Sequence, residues 1–137
     1  MDQKTPIETF WDPSAILALL LLGPNTNAAE TAWSTSDRAW MWKWTRLEVE
    51  AALSHRRAPP EAWTAWRRLQ AAVQIVDLVP DEFSALCQFN RTAKLGASTA
   101  SQLFVFDRTS AAVTSLKLVT FDRETLLGAE MLSLPLM

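Results

Sequence analysis

Side chains that could build a covalent or zinc-centred site are scarce in this sequence. There is one cysteine, Cys87, so no disulfide can form within the chain. Its apolar neighbours predict a core thiol, in keeping with a reducing cytoplasm. There is one histidine, His55, and one His with one Cys cannot complete a zinc site. Any metal would have to be held by carboxylates. Excess positive charge is missing too: 13 Lys and Arg against 15 Asp and Glu give a net charge of -2, so charge alone does not point to nucleic acid. Repeats and low-complexity segments are absent. So is a long hydrophobic run. The least polar stretch, "FWDPSAILALLLLG" at residues 10–23, offers eight apolar residues from Ala15 to Leu22, whereas a membrane-spanning helix needs about 20. The first ten residues carry both charge signs and no small-residue cleavage site follows, which does not fit a signal peptide. The stretch reads as an internal helix covered on most sides.

What remains is an ordinary soluble composition, 49% hydrophobic, and a length that fits one domain over residues 1–137. "IETFWD" is β-prone and stops at Asp12. "DPSA" reads as a helix start, with Asp12 as N-cap and Pro13 at the first helical position; Gly23-Pro24 ends that helix. A second helix is predicted over about 27–34. "RAWMWKW" alternates Trp40, Trp42 and Trp44 with Met41 and Lys43, the period of a strand. "TRLEVEAALSHRR" is helical up to Ala58-Pro59-Pro60. "EAWTAWRRLQAAV" places Trp63, Trp66, Leu69 and Val73 on an inward stripe. "QIVDLV" is a short strand. "DEFSALCQFNRTAKLG" is a helix with Phe83, Leu86 and Ala93 inward and Gly96 as its stop. "STASQLFVF" fits helix or strand. "LKLVTFD" is a strand with Asp122 as the next N-cap, and "MLSLPL" is a last short strand. Strands alternating with helices predict an α/β fold, with a mostly parallel sheet of about 4–5 strands flanked by helices in three layers.

Two predicted strands, ending at Trp11 and Phe121, are each followed at once by an aspartate. In a parallel sheet all strand C-termini lie on one edge, where such folds bind ligands. Asp12 and Asp122 are therefore candidates to meet there. Each also serves as a plain N-cap, and the roles are compatible because a carboxylate has two oxygens. A third acid comes from "TRLEVEAAL". Glu48 and Glu50 point about 200° apart on a helix. Glu50 shares a solvated face with Arg46, Ser54 and Arg57. Glu48 lies with Thr45, Ala51, Ala52 and His55, and needs a partner, either a metal or an Arg from elsewhere.

Together, "WDPSAILALLLLG", "TRLEVEAAL" and "LVTFDRE" resemble, in order and spacing across nearly the whole chain, the PIN-domain family, and within it the VapC-type toxins of toxin–antitoxin systems. The resemblance implies a parallel sheet, usually in order 3-2-1-4-5, and a Mg²⁺- or Mn²⁺-dependent endoribonuclease. It further implies an RNA substrate, a small cognate antitoxin, a homodimer and a cytoplasmic location. Carried over by position, Asp12, Glu48 and Asp122 are the metal-holding catalytic acids, and Ser14 is the small hydroxyl residue that supports the first. The family's third acid opens a helix reading Asp-Ala-x-His or similar. Thr99 stands in its place here, Gln102 in that of the histidine, and Pro13 in that of the usual threonine after the first acid. Asp107 lies eight residues beyond Thr99, roughly 12 Å along a helix, too far to substitute. The alternative is a catalytically inactive PIN-like module that binds a protein or RNA.

RNA would need cationic contacts. Arg56-Arg57 and Arg67-Arg68 are candidates, although such pairs are usually solvated faces. Trp40, Trp42 and Trp44 would share one strand face as core or partner surface, or else as a base-stacking platform.

Overall fold

A computed structural model describes residues 5–137. Four parallel strands form its sheet: β1 (Glu8–Trp11), β2 (Arg38–Trp42), β3 (Val73–Val76) and β4 (Lys117–Val119). Their order is β3-β2-β1-β4. Between and after them run seven helices: α1 (Pro13–Leu20), α2 (Thr26–Thr35), α3 (Lys43–His55), α4 (Pro60–Ala72), α5 (Pro80–Ala93), α6 (Ala97–Ser110) and α7 (Arg123–Met131). Successive strand residues point to opposite faces, and both faces are covered. Trp11, Met41 and Val119 join Ile16, Val49, Leu53 and Trp66 in one core beneath α1, α3 and α4. Phe10, Trp42 and Leu118 join Leu103, Val105 and Phe106 of α6 and Ala129 of α7 in the other. Two buried faces explain why the strands read as continuous apolar runs. No helix is long and apolar enough to cross a membrane among the described residues.

Several boundaries differ from expectation. β2 stops at Trp42, and Lys43 opens α3. The buried positions of α3 are Thr45, Val49 and Leu53, an i, i+4, i+8 stripe that carries the helical period back past Trp44. Trp44 therefore leaves the strand face and is 53% exposed. On α5, Leu86 is buried while Phe83 is 57% exposed. That helix buries only a narrow stripe, and Cys87, just beyond it, is exposed rather than a core thiol. Lys94, in the left-handed conformation, ends α5, whereas Gly96 has an ordinary negative φ and caps the start of α6. "STASQLFVF" is helical. Thr99 through Phe106 are all buried in α6, which removes the polar face whose period would have marked it as a helix. "MLSLPL" contributes one bridge, Leu118 with Leu136, and not a strand. The opening run is also less enclosed than its composition predicts: Ala15 and Ile16 are buried, Leu17 to Leu21 only half-buried, and Leu22 exposed.

Candidate active site at the switch point of the sheet

From β1 the chain adds strands outward on one side, through β2 to β3, and then returns to place β4 on the other side of β1. The C-terminal edge between β1 and β4 is thus the point where strand order reverses. Helices leaving it on opposite faces open a crevice there. Trp11 pairs with Val119 in that register, and the Asp12 amide donates to the Val119 carbonyl at 3.3 Å. Asp12 and the segment Thr120–Asp122 therefore emerge side by side.

Asp12 is 2% exposed. Its Oδ1 accepts from the Ala15 amide at 3.0 Å and from the Ser14 hydroxyl at 2.7 Å. The Thr120 hydroxyl donates to Oδ2. Ser14 Oγ in turn accepts from the Phe121 amide at 2.9 Å, and Thr120 Oγ1 accepts from the Asp122 amide at 3.1 Å. Two hydroxyl groups thus lace β1 to β4 around one carboxylate. Burial pushes the Asp12 carboxyl up to about 6, against the pull of these hydrogen bonds and with a small upward push from the Asp122 charge. Asp122 is exposed and caps α7, accepting from the Thr125 amide and hydroxyl, each at 2.9 Å. Both aspartates are N-caps, and both border the same crevice.

Glu48 lies in the second turn of α3, which rises from the same edge after β2. It is half-buried and makes no ion pair among the described residues. Oε2 accepts from the Ser98 hydroxyl at 2.8 Å, while Oε1 is buried without a hydrogen-bond partner. Burial raises its pKa and the Ser98 bond opposes that rise. Glu50, on the other side of α3, pairs with Arg46 at 2.9 Å and also accepts from the Trp66 indole at 3.2 Å.

Thr99 is buried in the first turn of α6, and it is its neighbour Ser98 that meets Glu48. Gln102, 1% exposed, donates to the Thr45 hydroxyl at 2.7 Å and leaves its own oxygen unpartnered. Glu124 reaches from α7 to the same helix start, where its Oε1 accepts from the Gly96 amide at 3.0 Å. Arg56 is the exposed C-cap of α3 and borders a groove shared with Ser14. Arg57, with φ 51°, does not line it. Arg67 and Arg68 are exposed on α4.

Sequence reasoning singled out Asp12, Glu48 and Asp122 through their strand-end or helix-face positions. It missed Thr120, Ser98 and Glu124. The hydroxyl of Thr120 two residues before a strand-end aspartate was a readable signal; Ser98 and Glu124 carry none.

Among the described residues, no three His, Cys, Asp or Glu side chains stand together closely enough to enclose a metal ion. A closed all-protein cage is thus not what these residues offer. Asp12 and Asp122 stand beside each other through Thr120, and Glu48 keeps one oxygen free; a hydrated ion needs fewer protein ligands. Mg²⁺ binds through one or two carboxylates and keeps most of its waters.

The fold is a PIN-like α/β fold, similar to two solved structures. The crystal structure of VapC20 from Mycobacterium tuberculosis, a toxin that cleaves the sarcin–ricin loop, superposes with a TM-score of 0.69 at 17% identity, covering 87% of this chain and 93% of that one. PAE2754 from Pyrobaculum aerophilum superposes with a TM-score of 0.59 at 20% identity, over 89% of this chain and 79% of that one. No protein-family model matches the sequence, and no curated protein matches it.

Proposed function

We propose that this chain is a Mg²⁺- or Mn²⁺-dependent endoribonuclease of the VapC toxin kind, acting through Asp12, Glu48 and Asp122. The observation that carries the reading is the meeting of Asp12 and Asp122 at the switch point, joined through Thr120. Ser14 and Thr120 fix the orientation of Asp12; in this reading Asp122 and Glu48 supply the other two carboxylates. Bound there, the metal would lower the pKa of a water and offset negative charge on the scissile phosphodiester. The net charge of the chain does not oppose an RNA substrate, since the metal brings positive charge locally. In this reading the partner is a small antitoxin, and the toxin works as a homodimer in the cytoplasm.

The buried Thr99, where the family resemblance calls for an acid, favours a second reading, a PIN-like module that binds RNA or a protein without cutting. Incubating purified protein with single-stranded RNA separates the two. Cleavage that needs Mn²⁺ or Mg²⁺, stops in EDTA and is lost in both Asp12→Asn and Glu48→Gln supports the nuclease. A protein that binds RNA or antitoxin but gives no cleavage in either metal supports the module.

A further inference from the structure

We propose that the groove along the outer side of α1 seats one nucleotide of a single-stranded RNA next to the cleaved phosphate, with its base on the apolar floor and a backbone phosphate on Arg56. The inference rests on the ribonuclease reading and assigns its substrate contacts. The groove holds about 460 Å³ and is lined by Ser14, Leu17, Leu21, Leu22, Phe121 and Arg56, among others. That is within the range of ligand-sized clefts.

Three observations carry it. The first is continuity: Ser14 lines the groove and also donates to Asp12, while Phe121 lies between Thr120 and Asp122. A strand lying in the groove would run directly on to the carboxylates. The second is charge. Arg56 is the only charged residue of the lining, and it makes no ion pair among the described residues. An apolar floor with one free cation at its rim is complementary to a flat base followed by a phosphate. The third is the composition of α1. Leu17 and Leu21 pack against the core yet stay half-exposed along the groove, and Leu22 beside them is fully exposed. Apolar side chains left open to water in a contiguous patch mark a binding surface.

The test measures binding of a short fluorescein-labelled single-stranded RNA in EDTA, where no metal-dependent cleavage occurs. Arg56→Gln should weaken binding by roughly three- to tenfold and flatten the salt dependence by about 0.7 in log–log slope, the loss of one phosphate contact. Arg57→Gln, the same charge change one residue outside the groove, should shift binding less than about twofold. Phe121→Leu should weaken it about tenfold by removing a stacking surface, and Phe121→Trp should restore it. The Trp variant separates stacking from a merely structural role, because a larger ring would not rescue a packing defect. Equal effects of Arg56→Gln and Arg57→Gln, or indifference to both Phe121 variants, would overturn the subsite even if wild type still cuts RNA. Groove variants that lose antitoxin binding alone would overturn it too, since the occupant is then a protein. A wild type that neither binds RNA nor cleaves it with Mn²⁺ removes the ribonuclease reading itself, and the subsite with it.

Discussion

Asp12 is ionised at neutral pH against the pull of its own burial. Its folded pKa of about 6 lies above the ordinary value of 3.8, so the folded state holds the proton more tightly than the unfolded chain. The resulting penalty is absent below pH 3.8, grows as pH rises through the interval to about 6, and is full above it. Two pKa units correspond to roughly 3 kcal/mol. In metal-free buffer Asp12→Asn should therefore melt higher than wild type at pH 7.5, by the equivalent of about 1–3 kcal/mol, and the gap should close near pH 3.5. Melting curves across that range check the sign, and a variant that melts lower at pH 7.5 would show that the hydrogen bonds outweigh burial. The same variant should lose cleavage, so stability and activity would be opposed at one atom pair. Ser14→Ala and Thr120→Val each remove one hydroxyl that orients Asp12, and should lower Mn²⁺ affinity or cleavage by about 10–100-fold. Thr99→Asp would return a carboxylate to the first turn of α6. It should destabilise the metal-free protein by about 1 kcal/mol through like-charge crowding and desolvation. With Mn²⁺ the sign should reverse, because tighter binding stabilises the fold by mass action. Identical melting shifts with and without Mn²⁺ would place Thr99 outside the metal's reach. At this scale the three acids were legible as candidates because each follows a strand or shares a helix side with apolar residues. Their partners were not: Thr120 and Ser98 find their carboxylates 108 and 50 residues away, and no local pattern records such a distance.

The opening helix shows what composition can and cannot say about an element. Eight apolar residues in a row predicted enclosure on most sides, yet only Ala15 and Ile16 are fully buried, and Leu17 to Leu21 touch the core while remaining half-exposed. Apolarity records that water is excluded at some stage, not by what. Ile16→Asp, at a fully buried position, should cost several kcal/mol, comparable to a whole domain's stability of roughly 5–15 kcal/mol, and leave the protein unfolded. Leu19→Asp, half-buried, should cost only about 1–2 kcal/mol; chemical denaturation of both variants ranks them. Helices α6 and α7 approach closely at Gly128, where an added Cβ would lie 2.7 Å from Leu103 Cδ1. Leu103 is fully buried and cannot swing away freely. Overpacking of about 1–3 kcal/mol should exceed the gain of about 1 kcal/mol from replacing a helical glycine. Gly128→Ala should thus melt below wild type. The order of elements, the caps at Asp12 and Asp122 and the parallel sheet were all readable from local signals. The start of α3 and the character of α6 were not. In the first, an alternating tryptophan pattern overlapped the first turn of a helix. In the second, burial all round erased the period.

At the scale of the whole molecule, the sheet is short and its strands few, so the crevice depends on how β4 is set against β1. β4 has three residues and pairs with β1 alone in the sheet order, with the Leu136 bridge and the Ser14 and Thr120 hydroxyls reinforcing it. Such long-range pairing forms late, because loop-closure entropy must be met before the contacts form. During synthesis Asp12 is made more than a hundred residues before Thr120 and Asp122. Every contact that orients Asp12 from β4 must wait for them. Until then the nascent chain carries Asp12 without its β4 partners, and the edge that joins it to Asp122 is complete only when β4 closes beside β1.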